Sequence, residues 1–425
     1  MTNTWWTLQN ELRLPDLPDY LGPAWTRFLP LKEELTRVPF INPVDFALYA
    51  DWFGFEDGLI NQLKAMASRI DADARLKTVA VFLNWAMFSS APFYKLPDMN
   101  APEPGILGED KGLFSILLLT RQVPHTLLDL DRRGIARADV MKNFKSLKGF
   151  AEAYKKREGA WGMDLYFWNA LCVTPYLNTA HHLRFNPVTF DRPYTVYRHR
   201  DSGDLLCLAD GGEGYHRDGL PAKTKADTAF TTVYENKGEQ VLVHRVSPSG
   251  FVFSAPAWFD LRQYERLVDK HDVLLSFHIP TGEGYTVDNC KRSFDAALAF
   301  FKRHFPEIAP KGFYCDSWLF SPQLPLMLSP EESRIIQIQR ETFMIPLYDD
   351  MENFATFVYQ IDRMPENKAD LAQDSRLRRV IREHLLNGHP LTGGGMVLPL
   401  SELHRFGNQP YFRQEDLDLL RTYYQ

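Results

Sequence analysis

Residues 272–319, DVLLSFHIPTGEGYTVDNCKRSFDAALAFFKRHFPEIAPKGFYCDSWL, decide how the second half of the chain folds. The apolar run Val273 to Phe277 is rich in the side chains of a buried strand, and Pro280, which has no N–H to donate, ends it. From Thr286 onward, apolar side chains recur every three or four residues, as on one face of an amphipathic helix. A second apolar run starts at Gly312. The stretch therefore predicts a strand, a glycine turn, a helix and a second strand.

Polar residues and glycines follow the ends of both predicted strands. His278 ends the first strand, and the turn that contains Gly282 and Gly284 leads to Thr286, a natural N-cap for the helix. The segment Asp316 to Trp318 ends the second strand. Because ligands of open α/β sheets bind beyond the carboxyl ends of the strands, we place the candidate site there.

Size and charge limit the classes of function. A chain of 425 residues is longer than one core usually allows, so we expect two domains. The formal net charge is −6 and the basic residues form no long cluster, which argues against nucleic acid as a partner. The four cysteines are widely spaced, as in a reduced cytoplasmic protein: Cys172, Cys207, Cys290 and Cys315. The sequence shows no secretion signal and no apolar run long enough for a membrane span, so we expect no secretion, no spanning helix and no membrane as a partner.

The pattern of apolar residues predicts a helical first part and a strand-rich second part. Helices are predicted at 57–70, 74–88, 112–131 and 137–157. Two hairpins are predicted, from 194–199 with 205–209 and from 230–234 with 240–246. Further strands are predicted at 334–339, 355–361 and 396–400, with a helix at 375–386. We therefore expect a helical domain over 1–186 and a mixed α/β or α+β domain over 187–425.

Several short motifs resemble those of a known protein family. They are Phe277 to Gly282, Cys315 to Pro322, Leu391 to Gly395, Gly159 to Gly162, and Phe167 with Trp168. The chain resembles acyltransferases in which a helical N-acyltransferase N-terminal domain precedes a GNAT-like C-terminal domain. The resemblance implies a GNAT-like mixed sheet, with acetyl-CoA or another acyl-CoA as co-substrate and a small-molecule amine or a peptide as acceptor.

In GNAT enzymes a turn reading Gln or Arg, two residues, Gly, one residue, Gly or Ala holds the pyrophosphate of coenzyme A. The resemblance thus assigns cofactor binding to Ile279, Thr281, Gly282, Glu283 and Gly284. When Gly282 and Gly284 are placed on the glycines of this pattern, Ile279 stands where GNAT enzymes have Gln or Arg, and Glu283 adds a negative charge within the turn. A non-catalytic protein that keeps the fold to bind a ligand or another protein therefore stays open as the alternative.

Five residues beside the turn are candidates for catalysis or substrate binding. His278 is either a general base toward an amine or a hydrogen-bonded structural histidine. Asp316 either orients His278 or the amine, or caps the next helix. Ser317 and Tyr314 are candidate proton donors to a leaving thiolate, although the core position of Tyr314 favours packing. Trp318 either lines a substrate pocket or packs.

The remaining glycine and histidine groups suggest less. Gly393 to Gly395 form either a backbone anion nest or a helix C-cap. Gly211, Gly212 and Gly214 follow a hairpin strand and predict a turn rather than a phosphate loop. The pairs His181 with His182 and His384 with His389 lack metal-site spacing, so no metal is predicted. Asp349, Asp350 and Glu352 are expected in a solvated turn.

Overall fold

The computed structural model describes residues 4–280, 282, 284–348 and 351–424. The predictions made for Thr281, Glu283, Asp349 and Asp350 lie outside the described residues. The chain divides between Thr179 and Ala180 into two compact units.

The first unit is built from helices, as predicted. They are α1 (Trp5–Leu12), α2 (Leu21–Phe28), α3 (Lys32–Thr36), α4 (Pro43–Phe53), α5 (Asp57–Ala72), α6 (Ala74–Phe88), α7 (Lys111–Arg121), α8 (Val123–Arg133), α9 (Arg137–Phe144), α10 (Ser146–Glu158) and α11 (Tyr166–Cys172). The predicted helices at 57–70 and 74–88 are confirmed as α5 and α6. The first four helices were not predicted.

Two segments that were predicted as single long helices each form two shorter helices. The prediction of one helix over 112–131 is wrong because Pro124 stands in the first turn of α8, where its missing N–H is tolerated, whereas a continuous helix would lose a hydrogen bond there. The prediction of one helix over 137–157 is wrong because the chain turns at Lys145 between α9 and α10. There the Ser146 hydroxyl donates to the Asn143 carbonyl and competes with the helical ladder.

Glycines allow two close approaches in the first unit. A Cβ at Gly112 would lie 2.0 Å from the carbonyl oxygen of Trp161, and one at Gly162 would lie 2.4 Å from the ring of Tyr154. No larger side chain fits at either position. The motif at residues 159–162 therefore serves packing between α7, α10 and the segment that follows α10.

Among the described residues the second unit contains four sheets, and their first strand begins two residues before the unit, at Asn178. The strands are β1 (Asn178–Ala180), β2 (Leu183–Thr189), β3 (Tyr194–His199), β4 (Leu205–Ala209), β5 (Gly214–Tyr215), β6 (Phe230–Thr231), β7 (Tyr234–Lys237), β8 (Gln240–Val243), β9 (Arg245–Ser247), β10 (Phe251–Val252), β11 (Ala257–Asp260), β12 (Tyr264–Val268), β13 (Val273–His278), β14 (Gly312–Ser317), β15 (Phe343–Pro346) and β16 (Gly394–Pro399). The central sheet has the order β1-β2-β13-β14-β16-β15, and the others have the orders β10-β9-β4-β3-β12, β11-β8-β7 and β5-β6.

Within the described residues, six α-helices accompany these sheets: α12 (Val287–His304), α13 (Leu324–Met327), α14 (Arg334–Gln339), α15 (Glu352–Phe354), α16 (Arg376–Leu386) and α17 (Gln414–Arg421). The predicted strand, turn, helix and strand are β13, the glycine turn, α12 and β14. Thr286 caps α12 as predicted, since its side chain accepts a hydrogen bond from the Asn289 N–H at 3.3 Å. Helix α16 and the first hairpin, β3 with β4, are confirmed as well.

The strands predicted at 334–339 and 355–361 are wrong. The first of these segments is helix α14, which buries Ile336 in an apolar cluster with Phe354 and Val358. The second begins as a π-helical segment, Ala355–Tyr359, that continues α15 and packs into the same cluster. Here tertiary packing overrides the strand preference of isoleucine, valine and aromatic side chains.

Two further predictions need correction. The second hairpin pairs β7 with β8, so its first strand is Tyr234–Lys237 and not 230–234. Gly394 and Gly395 belong to β16 and form neither an anion nest nor a C-cap. A Cβ at Gly394 would lie 2.2 Å from the Phe320 carbonyl oxygen, so this glycine allows close backbone packing.

Candidate functional site

The site lies where β13 and β14 end side by side. The two strands are parallel, and their register covers only Leu275 with Phe313 and Ser276 with Tyr314. Each strand then continues beside its other neighbour, so that His278 pairs with Arg184 of β2 and Asp316 pairs with Gly395 of β16. Beyond the last shared pair, no register pair joins the ends of β13 and β14 among the described residues, and we call the place where the two strands part the gap.

The two faces of this sheet have different roles. The rings of Phe185, Phe277 and Phe313 lie between 4.4 and 6.1 Å from the ring of Phe294 in α12, so this face forms the core. Because side chains alternate along a strand, the residues between these phenylalanines face the other way. We call this second set the polar face: Arg184, Asn186, Ser276, His278, Tyr314 and Asp316.

His278 is held on the polar face by Asn186. Its Nε2 lies 2.7 Å from Asn186 Oδ1, and Asn186 Nδ2 donates to the Pro187 carbonyl at 3.1 Å. This arrangement makes Nε2 the protonated nitrogen of the neutral ring and gives Nδ1 the lone pair. Burial, with a contribution from the charge of Arg184, lowers the pKa of His278 to about 4. The imidazole is therefore uncharged at neutral pH.

Asp316 is held by Arg192, which follows β2. Arg192 Nη2 donates to Asp316 Oδ2 at 2.9 Å, and Arg192 Nε donates to the Tyr314 hydroxyl at 2.8 Å. That hydroxyl donates to Asp316 Oδ2 at 3.4 Å. Burial raises the pKa of Asp316, whereas Arg192 and the Tyr314 hydroxyl act against this rise. The Asp316 side chain is 43% exposed, and its Oδ1 accepts no hydrogen bond from any described residue, so it can receive a substrate donor.

The two glycines of the turn have different surroundings. Both have positive φ angles, +118° at Gly282 and +112° at Gly284, which glycine adopts without strain. A Cβ at Gly284 would lie 2.9 Å from two atoms of the His182 ring, whereas one at Gly282 would meet nothing within 4 Å. The Asn289 side chain holds this turn to α12 by donating to the Gly284 carbonyl at 2.9 Å. Gly284 is therefore fixed by packing, and Gly282 faces open space.

Ser317 and Trp318 have local contacts of their own. The Ser317 hydroxyl accepts the Leu319 N–H at 3.3 Å and caps the short 3-10 helix Trp318–Phe320, so Ser317, not Asp316, is the cap. The Trp318 ring lies 5.6 Å from the ring of Phe354 at the edge of the apolar cluster around α14 and α15. By alternation Ser317 is directed away from the polar face. Cys315, its neighbour by two in the strand, is buried.

Comparison with known families identifies the chain. Residues 182–397, just over half of its length, match the GNAT-like C-terminal domain. The chain belongs to the GNAT-like C-terminal domain family. Residues 45–174 match the N-acyltransferase N-terminal domain, so the resemblance inferred from the short motifs is confirmed over both parts of the chain.

Solved structures of acyltransferases share this fold. One, in complex with decanoyl-CoA, is 18% identical with a TM-score of 0.57, and the match covers 93% of this chain and 98% of that chain. Another, in complex with decanoyl-CoA and teicoplanin, is 19% identical with a TM-score of 0.54, covering 92% and 99%. The predicted order, a helical domain followed by a GNAT-like mixed sheet, is thereby confirmed. Among curated proteins no sequence match was found.

Two residues that hold the site were missed by the sequence analysis. Asn186 and Arg192 lie about 90 and 120 residues before the groups that they contact, His278 and Asp316. The sequence feature that could have pointed to Arg192 is the charged pair Asp191-Arg192 at the end of a strand, directly before Pro193. Across the described part of the chain, no helix has the length and apolar character needed to cross a membrane.

Proposed function

We propose that this protein transfers an acyl group from an acyl-CoA to an amine. The observation that carries the proposal is the gap between the ends of β13 and β14, bordered by His278 and Asp316 on the polar face and followed by the glycine turn. Membership of the GNAT-like family supports the same reaction. The acyltransferases that share the fold were solved with decanoyl-CoA or CoA, which supports an acyl-CoA as co-substrate.

The glycine turn is the proposed place for the pyrophosphate of coenzyme A. Gly282 leaves space for a ligand, and α12 begins at Val287, where its first N–H groups and its dipole favour an anion. The roles of Ile279, Thr281 and Glu283 in this turn remain predictions. Gly284 contributes by positioning the turn against His182.

The acceptor is proposed to be an amine-bearing small molecule. Asp316 Oδ1 is available to bind and orient the amine, because Arg192 and Tyr314 occupy only Oδ2. A similar structure that holds both decanoyl-CoA and teicoplanin supports an amine-bearing small molecule as the acceptor. Trp318 packs on Phe354, and its role in substrate binding remains a prediction.

The reaction is proposed to proceed by direct transfer. The amine nitrogen attacks the thioester carbon, the new C–N bond forms as the C–S bond breaks, and coenzyme A leaves as a thiolate. His278 Nδ1 takes the proton of the amine, directly or through water. Because burial keeps the pKa of His278 at about 4, the ring is a weak base, and proton transfer is expected to accompany attack rather than precede it. Ser317 is directed away from the polar face, so its role as a proton donor remains a prediction, and the thiolate takes its proton from water.

A non-catalytic ligand-binding protein is the second candidate. Ile279 favours it, because an aliphatic side chain at this position brings neither a charge nor a hydrogen bond to a pyrophosphate. Such a protein would bind coenzyme A without turnover, or would not bind it at all.

Calorimetric titration with acetyl-CoA, decanoyl-CoA and free coenzyme A tests the donor site. Gly282→Tyr should abolish binding by filling the space above the turn. Gly212→Tyr is the matched control, since Gly212 also has a positive φ, +95°, with nothing within 4 Å of its Cβ position. Equal affinity of the wild type and Gly282→Tyr would contradict the placement of the pyrophosphate.

Release of coenzyme A thiol in the presence of a panel of amines tests catalysis. His278→Ala should lower kcat by about 10² to 10⁴, the usual contribution of a general base, with donor affinity unchanged. Asp316→Asn should raise KM for the amine. If the wild type binds acyl-CoA and releases no thiol with any amine, the non-catalytic candidate is favoured.

A further inference from the structure

Arg184 lies on the polar face next to His278. It is the second residue of β2, and it pairs directly with His278 in the antiparallel register of β2 and β13. Side chains of directly paired residues on adjacent strands are close neighbours, with Cβ atoms about 5 Å apart. The influence of Arg184 on the pKa of His278 is consistent with this proximity. Arg184 is half-buried.

Arg184 makes no hydrogen bond or ion pair with any described residue, which distinguishes it from neighbouring arginines. Arg192 binds Asp316 at 2.9 Å, and Arg198 of β3 binds Glu265 at 2.7 Å. A guanidinium that is partly removed from water without a counter-charge lowers the stability of the folded state. An anion supplied by a ligand would remove this cost.

The surroundings of Arg184 indicate which anion fits. Arg184 stands at the same end of the sheet as the glycine turn, because β2 begins where β13 ends. Two residues earlier, His182 lies against Gly284, and its Nε2 is buried without a hydrogen-bond partner among the described residues. The start of β2 therefore brings a guanidinium and an unsatisfied ring nitrogen to the edge of the turn. Planar guanidinium groups bind phosphate oxygens through paired hydrogen bonds.

We infer that Arg184 binds a phosphate group of the acyl donor at the edge of the glycine turn. This inference rests on the proposed function, and it adds a side-chain contact that no backbone turn supplies. The phosphate belongs either to the diphosphate of coenzyme A or to its 3′-phosphate. The ligand is thus anchored from β2 as well as from α12.

Calorimetry with coenzyme A, dephospho-coenzyme A, pantetheine and inorganic diphosphate tests the inference. Arg184→Gln should weaken coenzyme A binding about tenfold to a hundredfold, the range for one charge-assisted contact, and leave pantetheine binding unchanged. Arg184→Lys should recover part of the affinity. Arg245→Gln is the matched control, because it removes one exposed positive charge from another sheet of the same unit.

Dephospho-coenzyme A identifies the phosphate. An equal loss for coenzyme A and dephospho-coenzyme A assigns the contact to the diphosphate, whereas a loss confined to coenzyme A assigns it to the 3′-phosphate. Denaturation in urea provides a second readout. Since Arg184 has no hydrogen-bond or ion-pair partner among the described residues, Arg184→Gln should not lower the free energy of unfolding, and a marked loss of stability would assign Arg184 a structural role instead.

The outcomes separate the inference from the proposed function. Unchanged coenzyme A affinity in Arg184→Gln would overturn the inference and leave the proposed function standing. Binding of diphosphate but not of coenzyme A by the wild type, lost in Arg184→Gln, would support an anion site at Arg184 and contradict the proposed function. If the wild type bound neither coenzyme A nor diphosphate, both would be overturned.

Discussion

Replacing each glycine of the turn by alanine should separate backbone strain from side-chain contact. Gly282 and Gly284 have nearly the same φ, +118° and +112°, so alanine meets similar strain at both positions. Strain of this kind costs about 1–3 kcal/mol. The surroundings differ, because the alanine Cβ would meet nothing within 4 Å at Gly282 and would lie 2.9 Å from Nδ1 and Cε1 of His182 at Gly284.

The contact with His182 adds a second loss of stability, and it does so only at Gly284. Ordinary contacts of a Cβ atom are 3.4 Å or longer, so the imidazole or the turn has to move by about 0.5 Å or more. The residue has little room to move, since the backbone N–H of His182 donates to Ser293 Oγ at 3.3 Å and the ring Nε2 is buried. Overpacking of this size costs about 1–3 kcal/mol. Gly284→Ala should therefore lose about 2–6 kcal/mol of unfolding free energy, and Gly282→Ala about 1–3 kcal/mol.

Urea denaturation of both variants, in the wild-type and His182→Ala backgrounds, measures the two contributions. Removing the imidazole should bring the loss in Gly284→Ala close to that in Gly282→Ala, giving a coupling of about 1–3 kcal/mol between positions 182 and 284. Position 282 should show no coupling to position 182. Equal losses at the two glycines, or a coupling near zero at position 284, would refute the packing of His182 against the turn.

Two further predictions concern stability. Because the pKa of His278 is lowered to about 4 in the folded chain, the unfolded chain binds a proton at His278 between about pH 6.5 and pH 4 and the folded chain does not. The free energy of unfolding should therefore fall as the pH is lowered through this range, by at most about 3 kcal/mol. A pH series of urea denaturations in wild type and His278→Asn measures this, and identical pH dependence would contradict it. Tyr424→Phe removes the hydroxyl bonds to Asp218 at 2.7 Å and Gln323 at 3.0 Å and should lose about 1–3 kcal/mol of unfolding free energy. In the same urea assay Tyr423→Phe, which breaks no hydrogen bond among the described residues, should lose much less.

The elements with a continuous periodic pattern were predictable from sequence. Helix α12 combines an N-cap, Thr286, with an uninterrupted apolar face, and β13 combines a dense apolar run with a terminating proline. The apolar pattern fails to show where the helical hydrogen bonding is interrupted, as at Lys145 between α9 and α10. It fails again in α14, where packing of Ile336 against a distant cluster decides the local structure. Neither a break in the ladder nor a distant contact is visible in the spacing of apolar residues.

The candidate site was predictable only in part, because sequence neighbours do not share a face. Asp316 and Ser317 are adjacent, yet alternation along β14 directs them to opposite sides of the sheet. Position at the strand ends identified His278 and Asp316 as candidates. Their partners Asn186 and Arg192 come from β2 and the residues after it, and only the antiparallel pairing of β2 with β13 brings them near.

The division of the central sheet into two faces limits where substrate selectivity can arise. Helix α12 and its Phe294 occupy the face of Phe277 and Phe313, so that face is committed to the core. A substrate that reaches the gap between β13 and β14 must meet the other face, where an uncharged imidazole and a carboxylate border the gap. The imidazole is paired with a neutral amide and the carboxylate with an arginine, so a positive acceptor is attracted at Asp316 and not at His278. Under the proposed function, changes that alter the choice of amine should therefore come from residues around Asp316, whereas changes around the glycine turn should alter only the choice of donor.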